Sequence, residues 1–356
     1  MIRVLALVPY PTGRVPGQRY RIEQWAPLLR PHGIEVTFSA FLPILGMDVL
    51  YERGHTLRKT WSTLLGYVKR LREINDVGRF DVSFVYREAA LMGPTWIESH
   101  VARRRPLVFD FDDAIYLPAS SAANPISRVF RRGGKAKAIC RLAKHVIVGN
   151  ETLAAFARQY GGAVTEIPST IDTDVYAVCE RPPNRRPVVG WTGSSTTVPY
   201  LKTLLPVFSE LRRLVDYELR IIGGCVAVPG VDVRCVPWRP ESEVQDLRPL
   251  DVGLMPLPDD EWSRGKCGMK ALQYMGLGIP PVVSPVGVNA RIVRDGVSGF
   301  HARTPAEWLD RMVLLLRDPG LRARMGAEAR RTVEEGYAAR VHAPRLAEIF
   351  RAVAGA

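Results

Sequence analysis

Apolar positions fall along the chain in two alternating rhythms. Short runs rich in β-branched residues occur at Ile2–Val8, Ile34–Phe38, Val82–Val85, Leu107–Asp110, Val146–Val148 and Val164–Ile167. Longer stretches with helical spacing lie between them, near Gln18–Arg30, Leu57–Glu73, Ala89–Ala102, Ile126–Leu142 and Glu151–Tyr160. Strands that are apolar throughout are covered on both faces, so this order predicts a parallel sheet flanked by helices. Pro168–Asp174 and Arg181–Pro187 then interrupt the pattern with polar, proline-rich sequence of the kind that separates domains. The rhythm restarts at Val188–Trp191, followed by a helix near Tyr200–Leu214, runs at Glu218–Ile222, Val231–Val236 and Val252–Met255, a helix near Met269–Leu277, and runs at Pro281–Ser284 and Gly299–His301. Helical spacing dominates from Pro305 onward. The fold class expected is α/β: two doubly wound, Rossmann-like domains, 1–170 and 188–336, joined by a linker over 171–187 and separated by a cleft.

Composition agrees with two folded domains. The chain has 356 residues, 47% of them hydrophobic, too apolar for a disordered chain and long enough for two cores. The apolar run at the start is short and meets Pro9, which reads as a buried strand and not as a signal peptide. No uninterrupted apolar stretch is long enough to span a bilayer. Five scattered cysteines with no C-x-x-C pair argue against a disulfide framework or a structural zinc site and fit a reducing, cytoplasmic setting.

The formal net charge of +13 points to anionic partners. Between Asp113 and Glu151 there is no acidic residue, while Arg128, Arg131, Arg132, Lys135, Lys137, Arg141 and Lys144 all fall there, just after the triplet Arg103–Arg105. A solvated helix face and an anionic membrane surface both account for this run. Nucleic acid is disfavoured, because no nucleic-acid motif accompanies the charge.

Four segments carry candidate chemistry. The loop Pro11–Arg19 follows the first strand and holds Gly13 and Gly17, which let backbone approach a ligand at a helix start; it lacks G-x-G-x-x-G, and an ordinary strand–helix turn is the alternative. Asp110, Asp112 and Asp113 close an apolar strand, where carboxylates need partners; they suit sugar hydroxyls, proton transfer, a metal or a helix cap. Gly193, Ser194 and Ser195 end the first strand of the second half and open a helix, a seat for phosphate or a simple N-cap. The most specific segment runs from Arg264 through Lys266, Cys267, Gly268 and Lys270 to Gln273. Here a basic, glycine-containing loop enters a helix and offers cations and amides to a diphosphate; a surface basic patch is the alternative.

The stretch Asp251–Asn289 resembles the nucleotide-sugar site of glycosyltransferase family 4, the group 1 type with the GT-B fold. Leu272-Gln273-Tyr274-Met275, Gly278-Ile279-Pro280-Pro281-Val282-Val283, Ser284–Asn289 and Asp295–Phe300 carry the likeness, with Val148-Gly149-Asn150 and Ile167–Asp172 in the first half. The resemblance implies metal-independent transfer of a sugar, with retained anomeric configuration, from a nucleoside-diphosphate sugar to a glycan, lipid-linked or small-molecule hydroxyl. It implies no cofactor beyond that co-substrate, UDP ahead of GDP. It further implies that the last helix, within 337–356, returns to the first domain. On this basis the donor side takes Gly17, Gly193, Ser194, Ser195, Arg264, Lys266, Cys267, Gly268, Lys270 and Gln273. Arg19 and Asp110 go to the acceptor side, and Asp112, Asp113 and Lys266 are the catalytic candidates. The expected location is cytoplasmic, with peripheral contact at the inner face of an anionic membrane. The chain departs from the family where two glutamates eight residues apart are usual: Gly265 and Gln273 stand there. That departure leaves open a silent nucleotide-sugar-binding protein, or a nucleotide-sugar epimerase.

Overall fold

The structure, a computed structural model, describes residues 1–50, 54–117, 134–180 and 182–355. The chain divides into two compact units, Met1–Ser169 with His342–Ala356, and Thr170–Val341.

The first unit is built on a parallel sheet of β1 (Ile2–Val8), β2 (Ile34–Ala40), β3 (Val82–Tyr86), β4 (Leu107–Phe111), β5 (His145–Val148) and β6 (Ala163–Glu166), in the order β2-β1-β3-β4-β5-β6. The register sets Val4 opposite Val36 on one side and Val82 on the other. β3 and β4 are buried along their whole length, as strands covered on both faces must be. The final helix, Ala339–Ala354, contributes Phe350 to this core, edge-on to Phe84 at 6.1 Å, and Arg351 donates to the carbonyl of His32 at 2.8 Å.

Several helices differ from their sequence expectation. Over 18–30 the backbone widens into a π-helical turn at Arg19–Glu23, where the Gln24 amide reaches back to the Arg19 carbonyl, before α-helix resumes at Trp25–Leu29. The helix expected at Ala89–Ala102 begins only at Trp96, because Gly93 adopts φ +83° and Pro94 follows it. Of the helix expected at 126–142, Gly134–Leu142 is observed; the remainder lies outside the described residues, as do Arg128, Arg131 and Arg132.

The second unit repeats the architecture with β7 (Val188–Thr192), β8 (Glu218–Ile222), β9 (Asp232–Val236), β10 (Val252–Met255), β11 (Pro281–Val283) and β12 (Phe300–His301), ordered β12-β11-β10-β7-β8-β9 and parallel. Val189, Leu219, Ile221, Leu254 and Val282 pack against Leu211, Met312 and Leu315 from the covering helices. The stretch expected as one helix over 200–214 is two, Val198–Lys202 and Leu205–Leu214, with Pro206 in the first turn of the second.

The cysteine expectation is corrected here. Cys225 and Cys235 are joined in a disulfide, with Cα atoms 5.3 Å apart. The β8–β9 connection holds no helix, and the parallel register brings Cys235 opposite Ile221, so the chain leaving β8 doubles back beside it. No local Cys motif encodes that proximity.

Candidate active site

Ligands of doubly wound sheets sit beyond the carboxyl ends of the strands, where strand order reverses. The first sheet reverses between β1 and β3, the second between β7 and β10. Gly17 and Arg19 follow β1 at the first point, with Asp110, Asp112 and Asp113 one strand further along at the end of β4, and the second unit's candidates follow β7 and β10 at the second point.

In the first unit, the loop after β1 is held by reciprocal contacts. The Gln18 side chain accepts from the Tyr10 amide at 3.1 Å and donates to the Tyr10 carbonyl at 2.8 Å, while Glu23 accepts from the Gly13 amide at 2.8 Å and from Gln18 at 2.6 Å. Gly17 must be glycine: a Cβ there would stand 2.5 Å from the Tyr86 hydroxyl and 3.0 Å from Asp112. Arg87, directly after β3, has φ +57°, an uncommon conformation for a non-glycine residue that turns its guanidinium toward the end of β4. It donates to Asp112 at 2.7 and 2.9 Å and pairs with Asp113; the Tyr86 hydroxyl donates to the same Asp112 oxygen at 2.9 Å. Burial acts to raise the Asp112 carboxyl, but Arg87, then Arg21 and the hydrogen bonds from Arg87 and Tyr86 outweigh it and hold the group below the usual carboxylate range.

Asp110 lies deeper. It is fully buried, and Arg21, also fully buried, donates to both its oxygens, one at 3.0 Å, and to the Ile167 carbonyl at 2.7 Å. Burial pushes its carboxyl up, to about 6, against the pull of Arg21. This pair joins the π-turn to β4 and fills the core of the unit. Arg19, on the same turn, is partly exposed, its guanidinium over the Tyr20 ring at 5.4 Å. Among the described residues no three His, Cys, Asp or Glu side chains gather as a metal site.

In the second unit the loops after β7 and β10 meet around Trp191. A Cβ on Gly193 would strike the Trp191 ring at 2.4 Å, and one on Gly223, at φ +81°, would strike the Gly193 carbonyl at 2.0 Å. Glycine at both positions lets the 193–197 turn lie flat on the indole and against the end of β8. Thr197 closes the turn, its hydroxyl accepting from the Ser194 amide and donating to the Ser194 carbonyl, both at 3.1 Å. Ser194 and Ser195 are exposed, and the Ser194 hydroxyl bonds Thr196 at 2.7 Å. The Lys270 ammonium lies 5.6 Å from the centroid of the same indole. Lys270 and the 193–197 turn thus share Trp191 as a neighbour, although Lys270 lies 76 positions beyond Ser194.

The approach to Lys270 is shaped by Gly268, at φ +71°, which caps helix Met269–Gly276; a Cβ there would stand 2.2 Å from Ile292. Before it, Asp260 caps the short helix Glu261–Arg264 through the Ser263 amide at 2.7 Å. Lys266 lies over the Trp262 ring at 5.5 Å, and Arg264 faces solvent, paired with Asp259 at 2.7 Å. Cys267 is buried. The Tyr274 hydroxyl accepts from the Thr192 amide at 3.0 Å, which ties the helix to the end of β7.

Gln273 is 4% exposed and its amide is engaged. It donates to Glu243 at 3.1 Å and to the Tyr176 hydroxyl at 3.1 Å; Glu243 also accepts from Tyr176 at 2.9 Å and from the Trp238 indole at 3.0 Å. A carboxylate thus stands beside Gln273, supplied by helix Glu243–Leu247. Sequence reasoning missed Trp191, Glu243, Tyr176 and Trp238, which read as ordinary core or surface positions until the loops are folded together. It also missed Asn289. That side chain donates to the Ser284 carbonyl at 3.1 Å, while its buried Oδ1 has no hydrogen-bond partner among the described residues and faces Gly268.

Residues 186–318 match the family described as Glycosyl transferases group 1. No curated protein matches the sequence. Solved structures similar in fold include HepE from Anabaena in complex with UDP and glucose (TM-score 0.69, 14% identity, 99% of this chain and 100% of that one). A sucrose-phosphate synthase from Thermosynechococcus elongatus (TM-score 0.68, 13% identity, 99% and 98%) and a glycosyltransferase from Rickettsia africae (TM-score 0.69, 13% identity, 99% and 98%) are similar in the same way. The two six-stranded parallel sheets are those of the GT-B fold, as the sequence resemblance implies.

Proposed function

We propose, from the premise that residues 186–318 form a group 1 glycosyltransferase domain, that the protein transfers a sugar from a UDP-sugar to a hydroxyl acceptor with retention at the anomeric carbon and without a metal. The observation that carries this reading is that Lys270 and the 193–197 turn both pack on Trp191. A cation and a serine-rich turn brought together at the reversal point of a parallel sheet suit a diphosphate. The UDP carried by the similar HepE supports a uridine donor.

In this reading Lys270, Lys266 and the amides of Ser194 and Ser195 hold the diphosphate, with Gly193, Cys267 and Gly268 giving backbone access and Arg264 adding charge at the rim. As the glycosidic bond lengthens, negative charge grows on the leaving phosphate. Fixed cations and amides stabilise that charge more than the ground state, which is how they lower the barrier. Gln273, braced by Glu243, faces the ribose. In the first unit, Asp112 is held ionised by Arg87 and so is a weak base; its chemistry is to accept a hydrogen bond from a sugar hydroxyl and orient it, with Asp113 beside it. The acceptor's proton leaves with the departing phosphate, and no protein nucleophile is required. Gly17 keeps the floor of this loop open, and Arg19 acts from the acceptor side; Asp110, expected there, is instead fully buried and paired with Arg21, and its role is to hold the π-turn on β4. The acceptor class is a glycan, lipid-linked or small-molecule hydroxyl, and the location is cytoplasmic, with peripheral contact at the inner face of an anionic membrane.

The test is a panel of nucleotide sugars in excess EDTA, read first by thermal shift and then by NMR of the product's anomeric proton. A ligand at 100 times its dissociation constant adds about 2.7 kcal/mol to stability. Stabilisation by a UDP-sugar, reduced at least to about half in Lys266→Ala at the same ligand concentration, and a product of unchanged anomeric configuration are expected. A full shift in Lys266→Ala refutes the diphosphate assignment, inversion refutes the mechanism, and turnover only with added divalent ion refutes metal independence.

A further inference from the structure

Helix Thr56–Asp76 of the first unit is amphipathic in the reverse sense. Its inward face carries Ser62, Gly66, Arg70 and Ile74, all buried. Ser62 packs where a Cβ on Gly46 would stand 2.6 Å away, and Gly66 sits against the Phe41 carbonyl. Arg70 anchors the helix by donating to the carbonyls of Val8 at 3.0 Å, Ser39 at 2.9 Å and Ala89 at 2.8 Å, with Glu73 alongside at 2.8 Å. The helix is thus fastened to the sheet largely through a buried guanidinium and small residues, and its apolar side chains are left over.

Those side chains form one stripe on the opposite face. Leu57, Trp61, Leu64, Val68 and Leu71 follow each other at spacings of three and four, and their exposures run from 37% to 89%. Ile44 and Leu45, on the short helix that packs beside Ser62, are also exposed. Apolar side chains continuous over four turns mark an interaction surface. From Gly54 to Arg72 there is no acidic residue, while Arg58, Lys59, Lys69, Arg70 and Arg72 fall in that interval; Arg58 and Arg72 are exposed along the edge of the stripe. A second copy of the same face would set these cations against one another. A basic edge along an apolar stripe containing a tryptophan is instead complementary to a bilayer surface bearing negative headgroups.

We infer that this helix is a membrane-docking surface, lying in the plane of an anionic bilayer with Trp61, Leu64, Val68 and Leu71 seated among the lipid headgroups and Arg58 and Arg72 at the phosphates. This rests on the peripheral-membrane part of the function proposed above and is independent of the donor chemistry. It also moves the docking surface from the basic run over 128–144 to a helix that the charge pattern alone did not single out.

The experiment is flotation of the full chain with vesicles of phosphatidylcholine alone or with one part in three phosphatidylglycerol, with solution mass measured in parallel. Binding to the anionic vesicles is expected, with loss of about tenfold or more in Leu64→Asp/Leu71→Asp. Arg58→Ser/Arg72→Ser should lose more than tenfold at low salt, each cation near an anionic surface contributing about fivefold. Both pairs are exposed, so melting temperature and UDP-induced stabilisation should match the parent. No flotation of the parent overturns the proposal, as does equal flotation with neutral vesicles. Anionic binding that both variants retain leaves membrane contact standing but overturns this helix as its seat. A dimer dissolved by Leu64→Asp/Leu71→Asp, without lipid binding, assigns the stripe to self-association and also overturns it. Failure of UDP binding with intact flotation counts against the donor reading alone.

Discussion

Gln273 stands where the resembled family carries a glutamate, and the structure supplies a physical reason. Glu243 already places a carboxylate 3.1 Å from the Gln273 amide nitrogen, buried and held by Tyr176 and Trp238. Replacing Gln273 by Glu sets two carboxylates at that distance. Two unit charges so placed repel by about 5 kcal/mol at an effective dielectric constant near 20. The pair escapes part of that cost by retaining one proton, which lets the introduced carboxyl donate to Glu243 as the amide does now. Holding a proton at pH 7 on a group of ordinary pKa about 4.3 costs about 3.7 kcal/mol, so that figure caps the penalty. The folded protein then binds one proton more than the unfolded chain between pH 4.3 and the raised value of the pair. Stability therefore falls as pH rises, by about 1.4 kcal/mol per unit, and the loss at pH 5 shrinks to about 1 kcal/mol. The assay is urea unfolding of the parent, Gln273→Glu and Glu243→Gln/Gln273→Glu at pH 5 and pH 7. The double variant exchanges amide and carboxylate and should recover at least about 2 kcal/mol at pH 7. A Gln273→Glu protein as stable as the parent at pH 7, or a double variant no better than the single, refutes the account of this position.

If Lys270 holds the diphosphate as proposed, Lys270→Ala removes a charged contact worth about 1.5–3 kcal/mol, so UDP affinity measured by calorimetry should drop roughly 10- to 150-fold, with the melting temperature of the free protein little changed. Arg21→Ala strands the buried Asp110 carboxyl and should cost about 3–5 kcal/mol in chemical denaturation. Arg21→Lys should recover little of that, because an ammonium cannot reproduce the guanidinium's bonds to both Asp110 oxygens and the Ile167 carbonyl. Reduction of Cys225–Cys235, which closes a separation of 10 residues, should lower stability by about 2.7 kcal/mol on chain-entropy grounds; identical unfolding curves with and without reductant would contradict a bond formed in solution.

The alternation of apolar runs and helical stretches determined most of the secondary structure. β1, β8 and β10 begin and end where their apolar-rich runs do; β10 is apolar and buried along its whole length, while β1 admits Arg3 near its start and β8 alternates half-buried Glu218 and Arg220 with buried residues. The Lys266–Gln273 motif was legible for the same local reason: a cation-bearing loop entering a helix is contiguous in the chain. The pattern was blind wherever partners are distant. Nothing near Asp110 announces Arg21, 89 residues away, and nothing near Gln273 announces Glu243, 30 residues before it. The disulfide and the contact of Lys270 with Trp191 are of the same kind. The contact of Lys270 with Trp191 follows from the reversal at β7/β10, which gathers loop ends that the chain keeps apart, whereas the disulfide follows from the chain doubling back between neighbouring β8 and β9. The apolar stripe of helix Thr56–Asp76 shows the limit most directly. Its periodicity is plain in the sequence, but only the tertiary structure decided that the stripe faces outward, since the buried guanidinium of Arg70 claims the inner side.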